Sequence, residues 1–286
     1  MWFAFALATA IFTSFADVLR KKAVNRADVL VIAWAWRFFV FLFALSFLRF
    51  EPTRQLGPAF YWTAPIIVVC IISSTLLYVK SLKHSDMSLT IPMLAFSPLF
   101  LLITSPLILG EFPHPLGLVG ILLIVAGSYI LNYRESSKGY FEPFKALVRN
   151  KGTRLMLIVA VIYSIGANIE KIGVLNASPL FWIVTTEAVA STALLPIMLK
   201  NVQQPVSQIK KNFKYLFLLG LFEAIAMFCQ MKAYQLAIVP YVISIKRTSV
   251  IWSALLGFLI LKEGGFKERL IGIIFMVLGV FLIGLC

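Results

Sequence analysis

The chain has 286 residues, of which 60% are hydrophobic and 13% are charged. Soluble domains average about 45–50% apolar and about 25% charged residues, so this composition excludes a water-soluble fold. The formal net charge of +14 would suggest a nucleic-acid partner in a soluble protein. Here the basic residues lie mainly in short loops between apolar runs, so we expect membrane lipids as partners and no nucleic acid.

Ten apolar runs, bounded by charge, glycine or proline, predict ten transmembrane helices. They cover residues 2–19, 29–48, 61–79, 87–109, 116–133, 155–172, 179–199, 215–231, 238–261 and 270–285. A helix needs about 20 residues to cross the hydrocarbon core, and the absence of alternating ten-residue segments favours helices over a barrel. The first run has no preceding basic segment, so we interpret it as a retained helix rather than a signal peptide.

The second half of the sequence repeats the first at an offset of 152 residues. This offset aligns Lys80 with Lys232, Glu111 with Glu263, Gly120 with Gly272 and Gly127 with Gly279, and it makes nine of the 24 positions in 107–130 and 259–282 identical. We therefore predict a first five-helix repeat at 1–133, a cytoplasmic linker at 134–154 and a second repeat at 155–286. An odd number of helices per copy makes the copies insert with opposite orientation.

The distribution of Lys and Arg among the loops supports this inversion. Loops on one side of the predicted topology carry 19 of these residues, and the other side, with both termini, carries four when Lys171 at the end of helix 6 is included. The loop after helix 1 is basic, whereas its counterpart after helix 6 is poor in basic residues. The positive-inside rule then places both termini outside the cytoplasm.

The segment 97–131 resembles the end of an EamA-type repeat of the drug/metabolite transporter superfamily. It has a helix that ends in Leu-Gly-Glu111, a short turn and a glycine-punctuated helix, and the second copy repeats this pattern around Glu263. Arg37 resembles an arginine of the second helix in that family. The resemblance implies a ten-helix transporter with a central cavity between two repeats. It also implies cytoplasmic termini, whereas the loop charges place both termini outside the cytoplasm. We base the predicted orientation on the loop charges.

Charged residues inside apolar runs are the first candidates for a functional site. A charge at membrane depth costs at least about 2.5–3.5 kcal/mol, so such groups usually face a cavity or a partner. Arg37 lies near the middle of helix 2, where it either binds a substrate anion or forms an interhelical ion pair. Glu187 is its approximate counterpart in helix 7, at an offset of 150 residues. Glu223 lies near the middle of helix 8. For each of Glu187 and Glu223 there are three possible roles: substrate binding, coupling of transport to protons, or a hydrogen-bonded core acid.

Further candidates lie near the ends of helices or close to the predicted cavity. Lys246 and Arg247 in helix 9 have apolar counterparts in the first copy, and with Arg37 they favour an anionic or zwitterionic substrate. The alternative is that one of the two extends to the lipid headgroups. Asp17 aligns with Asn168 and is a further candidate for ion coupling, or else an interface residue. We interpret Glu111 and Glu263 as structural caps of the next helix or as partners of loop bases.

Aromatic, amide and proline residues complete the candidate site. Substrate contacts are predicted for Tyr78, Gln230, Trp36 and Trp252, although tryptophan also populates membrane interfaces. Pro92 and Pro98 are predicted hinges in helix 4, with a static kink as the alternative.

These features together predict an alternating-access secondary transporter of the cytoplasmic membrane, an exporter or permease for a small-molecule substrate. The alternatives are a flippase for a lipid-linked intermediate, a channel and a membrane-embedded enzyme. The sequence has no phosphate loop and no His/Cys metal-ligand spacing, so we expect no enzyme activity, no cofactor and no metal. The oligomeric state is not predicted.

Overall fold

The computed structural model describes residues 1–51, 55–84, 91–133, 150–253, 255 and 266–286, and these residues form helices and connections without a β-strand. The α-helices are α1 (Trp2–Val24), α2 (Val29–Leu48), α3 (Phe60–His84), α4 (Ser97–Leu109), α5 (Pro115–Tyr133), α6 (Lys151–Leu175), α7 (Pro179–Asn201), α8 (Pro205–Tyr234), α9 (Val239–Arg247) and α10 (Phe266–Gly284), with a 3₁₀ helix at Ile91–Phe96 before α4. Residues 249–253 are again helical after a turn at Thr248.

The predicted all-helical class is therefore confirmed for the described residues. Six helices, α1, α2, α3, α6, α7 and α8, contain segments long and apolar enough to cross a membrane. Shorter apolar helices cover Met93–Leu109, Pro115–Leu131 and Leu270–Gly284. The count of ten crossings and the central cavity stay predictions.

Several helix boundaries differ from the predicted ones. Helix α1 continues to Val24, five residues past the predicted end, and α8 begins at Pro205, ten residues before the predicted start. Hydropathy marks where a helix leaves the apolar core, whereas the backbone hydrogen bonds continue through polar residues. Predicted helix 4 is divided, because Pro98 has no N–H to donate to the carbonyl of Leu94 and its ring crowds that carbonyl. Its predicted residues 87–90, and residues 256–261 of predicted helix 9, lie outside the described residues.

Local signals explain where helices begin and end. Asp28 caps α2, because its carboxylate accepts a hydrogen bond of 2.8 Å from the backbone N–H of Leu30. Helix α4 ends at Gly110, which adopts the left-handed conformation with φ of 68° and donates its N–H to the carbonyl of Pro106. Glycine adopts this conformation without steric cost, and this explains why the Leu-Gly-Glu motif has a glycine at its second position.

The chain forms two compact units, and each combines segments from both halves of the sequence. The first contains Met1–Ile72 and Ile169–Leu236. Within it α1 packs along α8, and α2 packs against both α7 and α8. Helices α2 and α8 approach each other closely at Gly220, where an added methyl group would lie 2.2 Å from Cβ of Phe39. This unit holds the charged residues of helices α1, α2, α7 and α8.

The second compact unit contains Ser73–Asn168 and Ala237–Cys286. Helix α10 packs against α5, and α9 packs against α4 and α5. A hydrophobic core forms around Met93, Met156 and Val159. This unit holds both helix interruptions, one before α4 and one after α9.

Helices α5 and α10 cross in an antiparallel arrangement at the four glycines that the repeat aligns. A methyl group added at Gly120 would lie 2.7 Å from the carbonyl oxygen of Gly279, and one at Gly279 would lie 2.5 Å from that of Gly120. The same reciprocal contact joins Gly127 and Gly272, at 2.5 and 2.8 Å. The repeat aligns Gly120 with Gly272 and Gly127 with Gly279. Gly120 therefore contacts the equivalent of Gly127, and Gly127 contacts the equivalent of Gly120, which is the pattern of contacts around a local two-fold axis.

Candidate functional site

The two charges predicted near the middle of α2 and α7 form a direct ion pair in the first unit. Nη1 of Arg37 lies 3.1 and 3.3 Å from the two carboxylate oxygens of Glu187. The side chains are 8% and 1% exposed, so both charges are removed from solvent. The interhelical pair that the sequence left as an alternative is therefore present. Participation of Arg37 and Glu187 in substrate binding or ion coupling stays a prediction.

A second charged group links α1 and α8 in the same unit. Arg20 donates through Nη1 to the carboxylate of Asp17 on its own helix and through Nη2 to that of Glu223 on α8. The Glu223 side chain is 5% exposed, whereas that of Asp17 is 34% exposed. Asp17 is thus more accessible than Glu223.

Trp36 brings these two groups of charges together. Its ring lies 4.7 Å from the guanidinium carbon of Arg20 and 4.9 Å from that of Arg37. Each distance is within the range of a cation–π interaction. Among the described residues its indole N–H is buried without a hydrogen-bond partner. The charged residues of α1, α2, α7 and α8 therefore form one connected network, which we call the Trp36 network.

Gln230 is placed two helical turns beyond Glu223 on α8 and forms a separate polar contact. Its Nε2 donates to Glu170 at 3.1 Å and to the hydroxyl of Tyr234 at 2.8 Å. Gln230 and Tyr234 are buried. This geometry gives Gln230 a defined structural role, and its predicted substrate contact stays a prediction.

In the second unit, the two interrupted helices meet through Arg247. Both Nε and Nη2 of Arg247 donate to the hydroxyl oxygen of Ser97, at 3.1 and 2.6 Å. Ser97 is the first residue of α4 after the 3₁₀ helix, and Arg247 is the last residue of α9 before the turn at Thr248. These positions are 150 residues apart, close to the repeat offset. Corresponding helices of the two halves are thus interrupted at corresponding places and joined by a basic side chain.

The remaining candidates of the second unit have different surroundings. Tyr78 packs against the core around Met93, which indicates a packing role for much of its ring. Lys246 precedes Arg247 and is partly buried, while Trp252 is 37% exposed. Pro92 lies in the 3₁₀ helix and Pro98 in the first turn of α4. The structure therefore places both predicted hinges at the interruption, and their motion stays a prediction.

The glutamate of the family motif caps a helix of the second copy. Oε2 of Glu111 accepts the backbone N–H of Val239, at the start of α9, at 3.0 Å. The predicted cap of the following helix α5 stays a prediction. Glu51 acts similarly in the first unit, where Oε2 accepts the N–H of Leu180 at 2.9 Å. Glu263 lies outside the described residues.

Arg20 and Ser97 are residues of the site that the sequence analysis missed, and Arg20 is the one that a local signal could have identified. The apolar run ends at Leu19, so Arg20 was counted among the basic residues of a loop, yet it lies within α1 and pairs with a buried acid. The spacing of three residues between Asp17 and Arg20, which places them on one helix face, is the signal that identifies it.

Within the described residues, no group of three or more His, Cys, Asp or Glu side chains could hold a metal ion. The three cysteines, Cys70, Cys229 and Cys286, are free.

Comparisons with known proteins agree with this arrangement. The sequence model of the EamA-like transporter family matches residues 1–133 and 150–285. No curated protein matches the chain. A crystal structure described only as that of a protein is 16% identical, with a TM-score of 0.76, over 99% of this chain and 96% of the other. At this identity the structural similarity shows the fold alone.

Proposed function

Because the chain belongs to the EamA-like transporter family, we propose that it is a secondary active transporter that moves a small anionic or zwitterionic solute by alternating access. The family is one of membrane transporters, and the long apolar helices agree with a multi-pass membrane protein. The solute, the direction of transport and the coupling ion are the parts of the proposal that go beyond the family.

The observation that carries the solute class is the contact of Arg247 with Ser97 at two corresponding helix interruptions. In secondary transporters, interrupted helices at corresponding positions of two repeats mark the substrate site. A guanidinium there binds carboxylate or phosphate groups through paired hydrogen bonds. Arg247 and the neighbouring Lys246 therefore favour a solute with an anionic group.

The reciprocal contacts of the glycines in α5 and α10 support an inverted pair of repeats. A local two-fold relation between antiparallel helices is what two copies of opposite orientation would produce. We further propose ten crossings, with repeats at 1–133 and 155–286 and the linker at 134–154 in the cytoplasm.

The Trp36 network is the proposed route of ion coupling. Acidic residues in membrane-spanning segments commonly take up and release protons in transporters. Glu187 and Glu223 are buried beside permanently charged arginines, and Asp17 is the more exposed acid at one end of the network. A proton bound by any of these acids would weaken its ion pair and change the contacts among α1, α2, α7 and α8.

The proposed location is the cytoplasmic membrane, where the protein acts as an exporter or permease. Both termini are proposed to lie outside the cytoplasm, because the loops on one side carry an excess of Lys and Arg. We propose no enzymatic activity.

Flux through reconstituted full-length protein tests the transporter function. The solute is first identified by comparing metabolites inside and outside cells that contain or lack the protein. Uptake of this solute into proteoliposomes should saturate with concentration and respond to an imposed proton gradient. Flux that rises linearly without saturation would identify a channel, and conversion of the solute to a new product would identify an enzyme.

Variants of Arg247 test the solute site. A hydrogen bond to a charged group contributes about 1.5–3 kcal/mol, so Arg247→Ala should raise the half-saturating concentration about 10- to 150-fold. Lys200→Ala removes an exposed charge at the end of α7 and is the matched control. Equal kinetics for the wild type and Arg247→Ala would contradict an anion site at this position.

A further inference from the structure

Helix α8 is longer than a membrane crossing requires. Its 30 residues span about 45 Å at 1.5 Å per residue, whereas the hydrocarbon core is about 30 Å thick. The apolar run occupies the C-terminal part of the helix, and the first ten residues, 205–214, include three lysines and two side-chain amides. This polar end therefore lies at the level of the lipid headgroups.

The polar end of α8 presents lysine and phenylalanine side chains on one exposed face. Lys210, Phe213, Lys214 and Phe217 follow the spacing i, i+3, i+4, i+7, which places them on one side of a helix. All four are exposed, as is Lys211. We call these five residues the α8 basic face. Lys210 and Lys211 precede both aromatic rings toward the membrane core, and Lys214 precedes Phe217, so the charged end of the face lies toward the headgroups and its aromatic end toward the acyl chains.

The opposite side of the same helix end is held by the chain between α1 and α2. Oε1 of Gln208 accepts the backbone N–H of Asp28 at 2.8 Å. Nδ2 of the buried Asn212 donates to the carbonyl of Arg26 at 3.4 Å, and the Arg26 guanidinium lies 4.9 Å from the ring of Tyr215. These contacts fix the orientation of the helix end, so the lysines remain directed away from the protein.

We propose that the α8 basic face is a binding site for anionic phospholipid headgroups. Three lysines without an acidic residue between Val202 and Phe222 give the face a single sign of charge, complementary to phosphatidylglycerol and other anionic lipids. The exposed phenylalanines suit the boundary between headgroups and acyl chains. The helix continues into the membrane from this face, so lipid is the occupant that its position favours. The inference does not depend on the transported solute.

Lipid binding to the purified full-length protein in detergent tests the inference. Native mass spectrometry would compare the affinities for phosphatidylglycerol and phosphatidylcholine at low ionic strength. The triple variant Lys210→Gln, Lys211→Gln, Lys214→Gln removes the charges at exposed positions. Attraction of about 1 kcal/mol per lysine predicts a loss of affinity for phosphatidylglycerol on the order of 100-fold. Affinity for phosphatidylcholine should not change.

A second triple variant controls for net charge. Lys151→Gln, Arg154→Gln, Lys200→Gln removes the same number of exposed charges from α6 and α7, and it should lower the affinity for phosphatidylglycerol less than tenfold. Equal losses in both triple variants, or no loss in the first, would overturn the inference. Loss of phosphatidylglycerol binding in about 10 mM inorganic phosphate would also overturn the inference, because it would indicate an anion site without lipid specificity.

Discussion

Replacement of one or both partners of the Arg37–Glu187 pair separates a structural from a functional role. Arg37→Met alone leaves the carboxylate of Glu187, which is 1% exposed, without its partner at 3.1 Å. Removal of one partner from a buried ion pair costs about 3–5 kcal/mol. Replacement of both partners by apolar residues of similar volume is often neutral, because neither charge then has to be desolvated.

The expected effects on thermal stability follow from these energies. A chain of 286 residues unfolds with an entropy of about 0.6 kcal/mol per kelvin, so Arg37→Met should lower the melting temperature by about 5–8 °C. The double variant Arg37→Met, Glu187→Leu should melt within about 2 °C of the wild type. Val189→Ala, at an exposed position of the same helix α7, is the control for a change that leaves the pair intact.

Flux measurements on the same proteins complete the test. If the pair takes part in transport, the double variant folds but does not transport the solute. Full flux through the double variant would remove both residues from the mechanism, and an unchanged melting temperature of Arg37→Met would refute the energetic argument. An alanine variant of Arg37 alone is a weaker test than the double variant, because it combines loss of function with loss of stability.

Three further variants test other contacts of the two units. Gly127→Ala should lower the melting temperature by about 2–5 °C, since a methyl group 2.5 Å from the carbonyl of Gly272 forces backbone to move and overpacking costs about 1–3 kcal/mol; an unchanged melt would contradict the close crossing. Glu51→Ala removes the carboxylate that accepts the N–H of Leu180 and should destabilise the protein by about 0.5–2 kcal/mol in reversible denaturant unfolding. Arg20→Gln leaves Glu223 without its cationic partner and should cost about 3–5 kcal/mol in the same assay, so a loss below about 1 kcal/mol would show that this pair contributes little.

The sequence predicted those parts of the molecule that depend on the cost of placing polar groups in lipid. Arg37 and Glu187 were identified because each interrupts an apolar run, and the structure brings them together. Arg20 was missed because it lies at the end of an apolar run. At that position hydropathy does not distinguish a loop charge from a helical charge with a buried partner.

Contacts between residues far apart in sequence were less accessible to sequence reasoning. The Leu-Gly-Glu motif predicted a turn and a cap, and Gly110 makes the turn. The partner of Glu111 is Val239 on α9, 128 residues away, and no local signal specifies it. Likewise, Ser97 gave no indication of its contact with Arg247, because a hydroxyl group in an apolar run usually bonds to its own helix.

The direct contact of Arg37 with Glu187 constrains the order of events after duplication. These residues occupy approximately equivalent positions of the two copies, so freshly duplicated halves carried the same residue type at both positions and could not form an ion pair. The attraction became available only once the two copies had diverged to opposite charges. For the glycines of α5 and α10, divergence of the two copies is instead prevented. Their backbones are in contact, so a side chain acquired by either copy would separate the helices.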